Sequence, residues 1–208
     1  MASFDVPFQG TMAKEGFYSD HPNDSGGETI FGIARKFHPT WSGWSIVDFN
    51  KQQGTLESLK TDAEFKVLVK DFYKRLFWDT MYLDNVNDQK IAEKLFDIGV
   101  ISGKKIAVLF LQVTLKTLNR QGRDWADIRI DGVIGPATVS SLNIATSKTN
   151  NVLKSLNILH GNRLMMLCLV VDPIEQKFLE EMNFLALKAQ PTDKNEAFLN
   201  GWLANRVD

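Results

Sequence analysis

The chain has 208 residues, 44% of them apolar and 24% charged, with a formal net charge of −1. That length can bury a real core, and a near-neutral balance without long runs of like charge excludes electrostatic capture of nucleic acid. The lone Cys168 excludes an internal disulfide, and the apolar stretch around it, 164–171, is far too short to span a bilayer.

In chain order, Asp5 is placed to cap a helix running to about Lys14, with Phe8 and Met12 four apart on one face. Gly16 is its natural stop. Glu15 then falls in the last turn, where the negative end of the helix favours a protonated carboxyl group. The stretch 15–32 follows, with four carboxylates (Glu15, Asp20, Asp24, Glu28), the hydroxyl of Thr29 and four glycines. Glycosidic hydrolysis needs one carboxyl group kept protonated and a second polar group to handle water or developing charge. The same residues also make ordinary surface loops, so both readings stay open here. A calcium-loop template starting at Asp20 fails at Pro22 and Ser25.

Gly32 to Phe37 reads as the start of a second helix. Trp41 and Trp44 fall in the loop after it, where they suit either sugar stacking or core filling. A short helix over 46–52 ends at Gly54. Thr61 to Phe77 is predicted helical, with Thr61 as cap and Glu64 at the capping-box position. Asn85 to Asp88 reads as a loop, Ile91 to Ile98 as a helix, and Lys104 to Leu118 as a nearly all-apolar, central helix. The segment Asp131-Gly132-Val133-Ile134-Gly135-Pro136 is a turn feeding a helix, with Pro136 at its first position. Helices over 150–171 and 174–188 are separated at Asp172-Pro173, and a last one spans 194–205. The three histidines, His21, His38 and His160, are scattered, leaving a zinc site nothing to rest on. No nucleotide-binding glycine pattern occurs. One compact, mostly helical body over 1–208 is expected.

Glu15-Gly16-Phe17-Tyr18, followed by His21-Pro22-Asn23-Asp24-Ser25-Gly26-Gly27-Glu28-Thr29-Ile30-Phe31-Gly32-Ile33, resembles the signature of glycoside hydrolase family 108. These are N-acetylmuramidases of phages and bacteria, often labelled secretion activator proteins. Phe17 stands where that family usually has Gly, and Asp20-His21-Pro22 replaces Asn-Asp-Pro. Phe77-Trp78-Asp79, with Tyr82 just beyond, and Phe96-Asp97-Ile98-Gly99-Val100-Ile101-Ser102-Gly103 resemble further family elements, with Ile101 in place of Asn. Asp131 to Thr138 resembles a peptidoglycan-binding motif, and 198–207 resembles the family's ending. Phage lysozymes offer a more distant likeness. Eight residues separate Glu15 from Asp24, as there, and four rather than five separate Asp24 from Thr29.

The resemblance implies a lysozyme-like helical fold with a catalytic loop after the first helix. Residues 1–95 would form the catalytic-motif part, and 96–208 a peptidoglycan-binding-like helical part packed on it. Glu15 is the implied general acid, and Asp24, with Thr29, the group that positions water or stabilises the transition state. Glu28 is a reserve second carboxylate. Tyr18, Glu28, Trp41 and Trp44 are the expected substrate contacts. The implied partner is the peptidoglycan glycan strand, met by a monomer without metal, cofactor or membrane insertion. Met1 to Gly10 lacks a basic region followed by an apolar core, so synthesis in the cytoplasm and action in the periplasm or cell wall are expected, as for endolysins released through a holin. A non-catalytic glycan-binding module and a secretion accessory protein are the alternatives.

Overall fold

Phe4 opens the first helix, because its carbonyl accepts the Phe8 N–H at 3.2 Å. The computed structural model describes residues 1–14, 16–20, 27–119 and 122–169. The helix, α1, spans Asp5–Lys14, the expected range. Asp5 lies in its first turn instead of capping it, and its carboxylate pairs with Lys70. By internal contacts the chain forms two units, Ser3–Thr80 and Met1–Ala2 together with the chain from Met81 onward.

In the Ser3–Thr80 unit three short strands follow α1: β1, Tyr18–Ser19; β2, Thr29–Ile30; and β3, Ile33–Ala34. All pairings are antiparallel, with Tyr18 opposite Ile30, Ser19 opposite Thr29, and Ile30 opposite Ile33. Phe31 and Gly32 make the two-residue turn between β2 and β3 with φ of 47° and 76°. Positive φ at both positions is what a type I′ hairpin turn requires, and it costs a residue with a Cβ about 1 kcal/mol or more. Burial of Phe31 offsets that cost. Its ring lies edge-on to Phe17 at 5.3 Å, and its carbonyl accepts the buried Tyr73 hydroxyl at 2.9 Å. The expected helix over 32–37 is therefore corrected to a strand and turns. A glycine-bearing two-residue turn between Thr29-Ile30 and Ile33 is the signal that the helix reading passes over.

Helix α2, Gly43–Gln53, ends at Gly54, whose φ of 71° provides the left-handed cap. Trp44 is thus helical, not in a loop. Helix α3, Ala63–Tyr73, is capped by Asp62, whose carboxylate accepts the Phe65 N–H at 2.8 Å. Thr61, the expected cap, instead donates its hydroxyl to the Ser58 carbonyl. A π-helical turn, Lys74–Trp78, continues α3 and carries Trp78 into the core beside Phe4.

The unit continuing from Met81 contains α4, Gln89–Ser102; α5, Lys104–Leu118; α6, Pro136–Lys148; and α7, Asn151–Cys168. Helix α5 packs against α4, α6 and α7, the central place its apolar sequence suggested. Its one strongly polar buried residue, Gln112, is 1% exposed and fully satisfied. Nε2 donates to Asp131 Oδ1 and to the Val133 carbonyl, both at 2.9 Å. Oε1 accepts the N–H groups of Asp131 and Gly132 at 3.1 and 2.8 Å. Asp131 also accepts the Val133 N–H at 2.8 Å, and Gly132 takes a φ of 73°. The motif at Asp131 is thus a clasped turn leading into α6, with Pro136 in its first turn.

Seven α-helices and one three-stranded sheet among the described residues make the fold mostly α and lysozyme-like, as expected. The helices expected over 174–188 and 194–205, and the break at Asp172-Pro173, lie outside the described residues.

Candidate functional site

The sheet and helix α2 together organise one carboxylate, Glu28. Its side chain is 11% exposed. Oε1 accepts the Tyr18 hydroxyl at 2.8 Å and the Lys51 ammonium at 2.7 Å. Oε2 lies 2.9 Å from Arg35 Nε. The backbone repeats the connection, since the Arg35 N–H donates to the Glu28 carbonyl at 2.8 Å. Arg35 continues outward to Asp48 of α2 at 2.6 Å and lays its guanidinium over the Trp44 ring at 4.4 Å. Lys51, also from α2, stands 3.6 Å from Asp20 and faces the Tyr18 ring.

The charges set the protonation states. Hydrogen bonding to Glu28, then to Tyr18, holds the Lys51 ammonium pKa well above its ordinary value. Burial raises the Tyr18 phenol, reinforced by Glu28 and partly opposed by Lys51. Oε1 of Glu28 accepts two hydrogen bonds and Oε2 lies against the Arg35 guanidinium, so the side chain pins the sheet to α2. Charge-assisted contacts of this kind are strong and directional.

Thr29 sits next to this pin on β2. Its hydroxyl donates to the Gly27 carbonyl at 3.0 Å, which leaves the oxygen lone pairs to accept from another donor. Tyr18, Glu28 and Thr29 are therefore brought together. Glu15 and Asp24 lie outside the described residues.

The two tryptophans differ. Trp44 is 4% exposed, its indole N–H donates to the His38 carbonyl at 2.8 Å, and Arg35 covers one face. That is core packing, and the open sugar-stacking face offered in the sequence reading is absent from this arrangement. Trp41 is half-buried, edge-on to Trp44 at 5.4 Å and 5.8 Å from both Phe65 and Phe72. A Cβ on Gly43 would lie 2.3 Å from Trp41 Cη2, so the indole rests on bare helix backbone.

Sequence reasoning missed Arg35, Asp48 and Lys51. Arg35 was recoverable, because recognising the hairpin turn at Phe31-Gly32 places it just beyond β3, folded back toward Glu28. For Lys51, separated from Glu28 by 23 positions, the sequence offers no local signal.

Tyr82, just beyond the Phe77-Trp78-Asp79 segment, is 45% exposed and left-handed, with φ 55°. Trp78 is the fully buried member of that segment. His160 is buried, its Nδ1 3.8 Å from Asp97.

Comparison with known proteins adds identity to this geometry. Residues 8–103 match the family described as glycosyl hydrolase 108, and residues 106–207 match one described as a predicted peptidoglycan domain. No curated protein matches the chain. Among solved structures, one described as Brucella abortus SagA is similar in fold, at a TM-score of 0.51 and 19% identity, over 99% of this chain and 96% of that one. No helix among the described residues is long and apolar enough to cross a membrane. The match to glycosyl hydrolase 108 over residues 8–103 and the match to a predicted peptidoglycan domain over residues 106–207 together support a peptidoglycan-related function for the chain.

Proposed function

We propose that the chain hydrolyses the β-1,4 bond between N-acetylmuramic acid and N-acetylglucosamine in peptidoglycan. Glu15 protonates the leaving oxygen, and Asp24, with Thr29, positions water or stabilises the oxocarbenium-like transition state. The observation that carries this reading is the pairing of Ser19 with Thr29. It brings together the two ends of the segment holding Asp24, directly after a helix that reaches Lys14. The fixed frame thus begins on both sides of the two acids.

Glu28 supports the frame rather than the chemistry, because two cations and a phenol already occupy its oxygens. That favours Asp24 as the second acid. The enzyme acts in the periplasm or cell wall, as a monomer.

The test is wall clearing by the wild type and by Glu15→Gln, which keeps the shape but removes the donated proton. A general acid contributes roughly 10²–10⁴-fold, so clearing falls by about that factor. Equal rates overturn the assignment. Mass spectrometry of the products decides the bond, since a muramidase leaves N-acetylmuramic acid at the reducing end.

A further inference from the structure

A groove of about 500 Å³ lies between the Tyr82–Asn87 turn and helix α6. We propose that it is a second glycan-binding site, which takes an uncharged chain of N-acetylated sugars and holds the protein on the wall. The proposal rests on the peptidoglycan reading above, and it names a place for the contact.

Three observations meet there. The first is the chemistry of the lining, which includes Tyr82, Asn85, Asn87, Ser140 and Ile144 and contains no charged side chain. Anionic ligands therefore find no counter-charge, whereas a neutral sugar finds amides, hydroxyls and one aromatic face. Its size is also in the range of ordinary small-ligand sites.

The second is that these polar groups are available. Asn143 spends its amide on the frame, accepting the Asn87 N–H and donating to the Asn85 carbonyl, each at 2.9 Å. The side-chain amides of Asn85 and Asn87 and the Ser140 hydroxyl carry no hydrogen bond among the described residues. The turn is thus tied to α6 by Asn143 of the helix, while the side chains of the turn's own two asparagines remain open to a ligand.

The third is Tyr82. An aromatic residue in the left-handed region is a costly choice for a turn that glycine would make more easily. Its ring is 45% exposed, so burial does not offset the cost. A flat amphipathic ring at the edge of a polar groove is suited to stack on the apolar face of a pyranose. Ile144 offers the neighbouring apolar surface for an N-acetyl methyl group.

The experiment uses the full chain and two probes: purified sacculi in a sedimentation assay, and the soluble β-1,4 tetramer of N-acetylglucosamine in titration calorimetry. Tyr82→Gly removes the ring and eases the backbone, so its melting temperature stays the same or rises. Ser140→Lys fills the groove from an exposed helical position. Each variant should bind both probes about tenfold more weakly than wild type. Binding unchanged in both variants overturns the site. Wild-type chain that clears walls while neither variant loses retention removes the groove and leaves the hydrolase reading intact. Variants that lose retention, with a wild type that releases no reducing sugar, remove the hydrolase reading and leave the groove.

Discussion

Gln112 and Asp131 hold each other twice, with the Asp131 N–H donated to Oε1 at 3.1 Å and Nε2 donated to the Asp131 carboxylate at 2.9 Å. A buried amide that makes four hydrogen bonds has used its whole capacity. Gln112→Leu keeps the size but orphans the N–H groups of Asp131 and Gly132 and the Val133 carbonyl. The expected loss is about 2–4 kcal/mol, or roughly 4–16 °C in Tm for a chain of this length. Thermal unfolding followed by circular dichroism measures it.

Asp131 carries a pH signature. The Val133 N–H, then the Gln112 amide, holds its carboxyl pKa below the ordinary value. A lowered folded pKa means the contribution is complete above the unfolded value, near 4, and is lost as pH falls through the folded one. Asp131→Asn retains an acceptor oxygen but cannot titrate. As pH falls below about 4, the variant should lose less stability than wild type, read as a narrowing gap in Tm.

Glu28 separates a structural carboxylate from a catalytic one. Glu28→Gln leaves Arg35 and Lys51 without their anion. Both cations are partly exposed, so screening limits the cost to about 1–2 kcal/mol, or roughly 2–8 °C. Wall clearing, corrected for folded fraction, should fall by less than tenfold, while Asp24→Asn loses at least about a hundredfold with Tm unchanged. Paired turbidity and melting measurements on the two variants settle it, and the reverse pattern would exchange the two roles.

Tyr73→Phe tests the β2–β3 turn. The change leaves the Phe31 carbonyl without its hydroxyl partner in a buried place. A loss of about 1–3 kcal/mol is expected. Because Phe31 is next but one to Thr29, activity should fall together with Tm, in contrast to a remote core variant of equal destabilisation.

Much of this was legible from residue patterns. Lys104–Leu118 was bounded correctly by its continuous apolar run, and α1 by the glycine beyond it. Gly54 announced the end of α2 through its left-handed cap. The failures lie where tertiary contacts overrule local signals. Asp62 displaced Thr61 as the cap because an extended carboxylate reached the Phe65 N–H first. Strand β3 falls within the helix expected over 32–37, because the hairpin's strands have two residues each, too few to show an alternation. At the candidate site, Tyr18, Glu28 and Thr29 were singled out from one motif. The cations that pin Glu28 come from α2 and from beyond β3, and no spacing rule joins them.

The ladder between Ser19 and Thr29 also bears on how the segment between them can vary. Once two strands fasten a segment at its base, adding or deleting residues between them changes the closure entropy slowly, by only about 0.6 kcal/mol for each doubling of length. The span between Ser19 and Thr29 can therefore lengthen or shorten without dismantling the scaffold that carries both ends. Length between the two strands and the architecture around them become separately adjustable, so the helices can stay as they are while that span is edited.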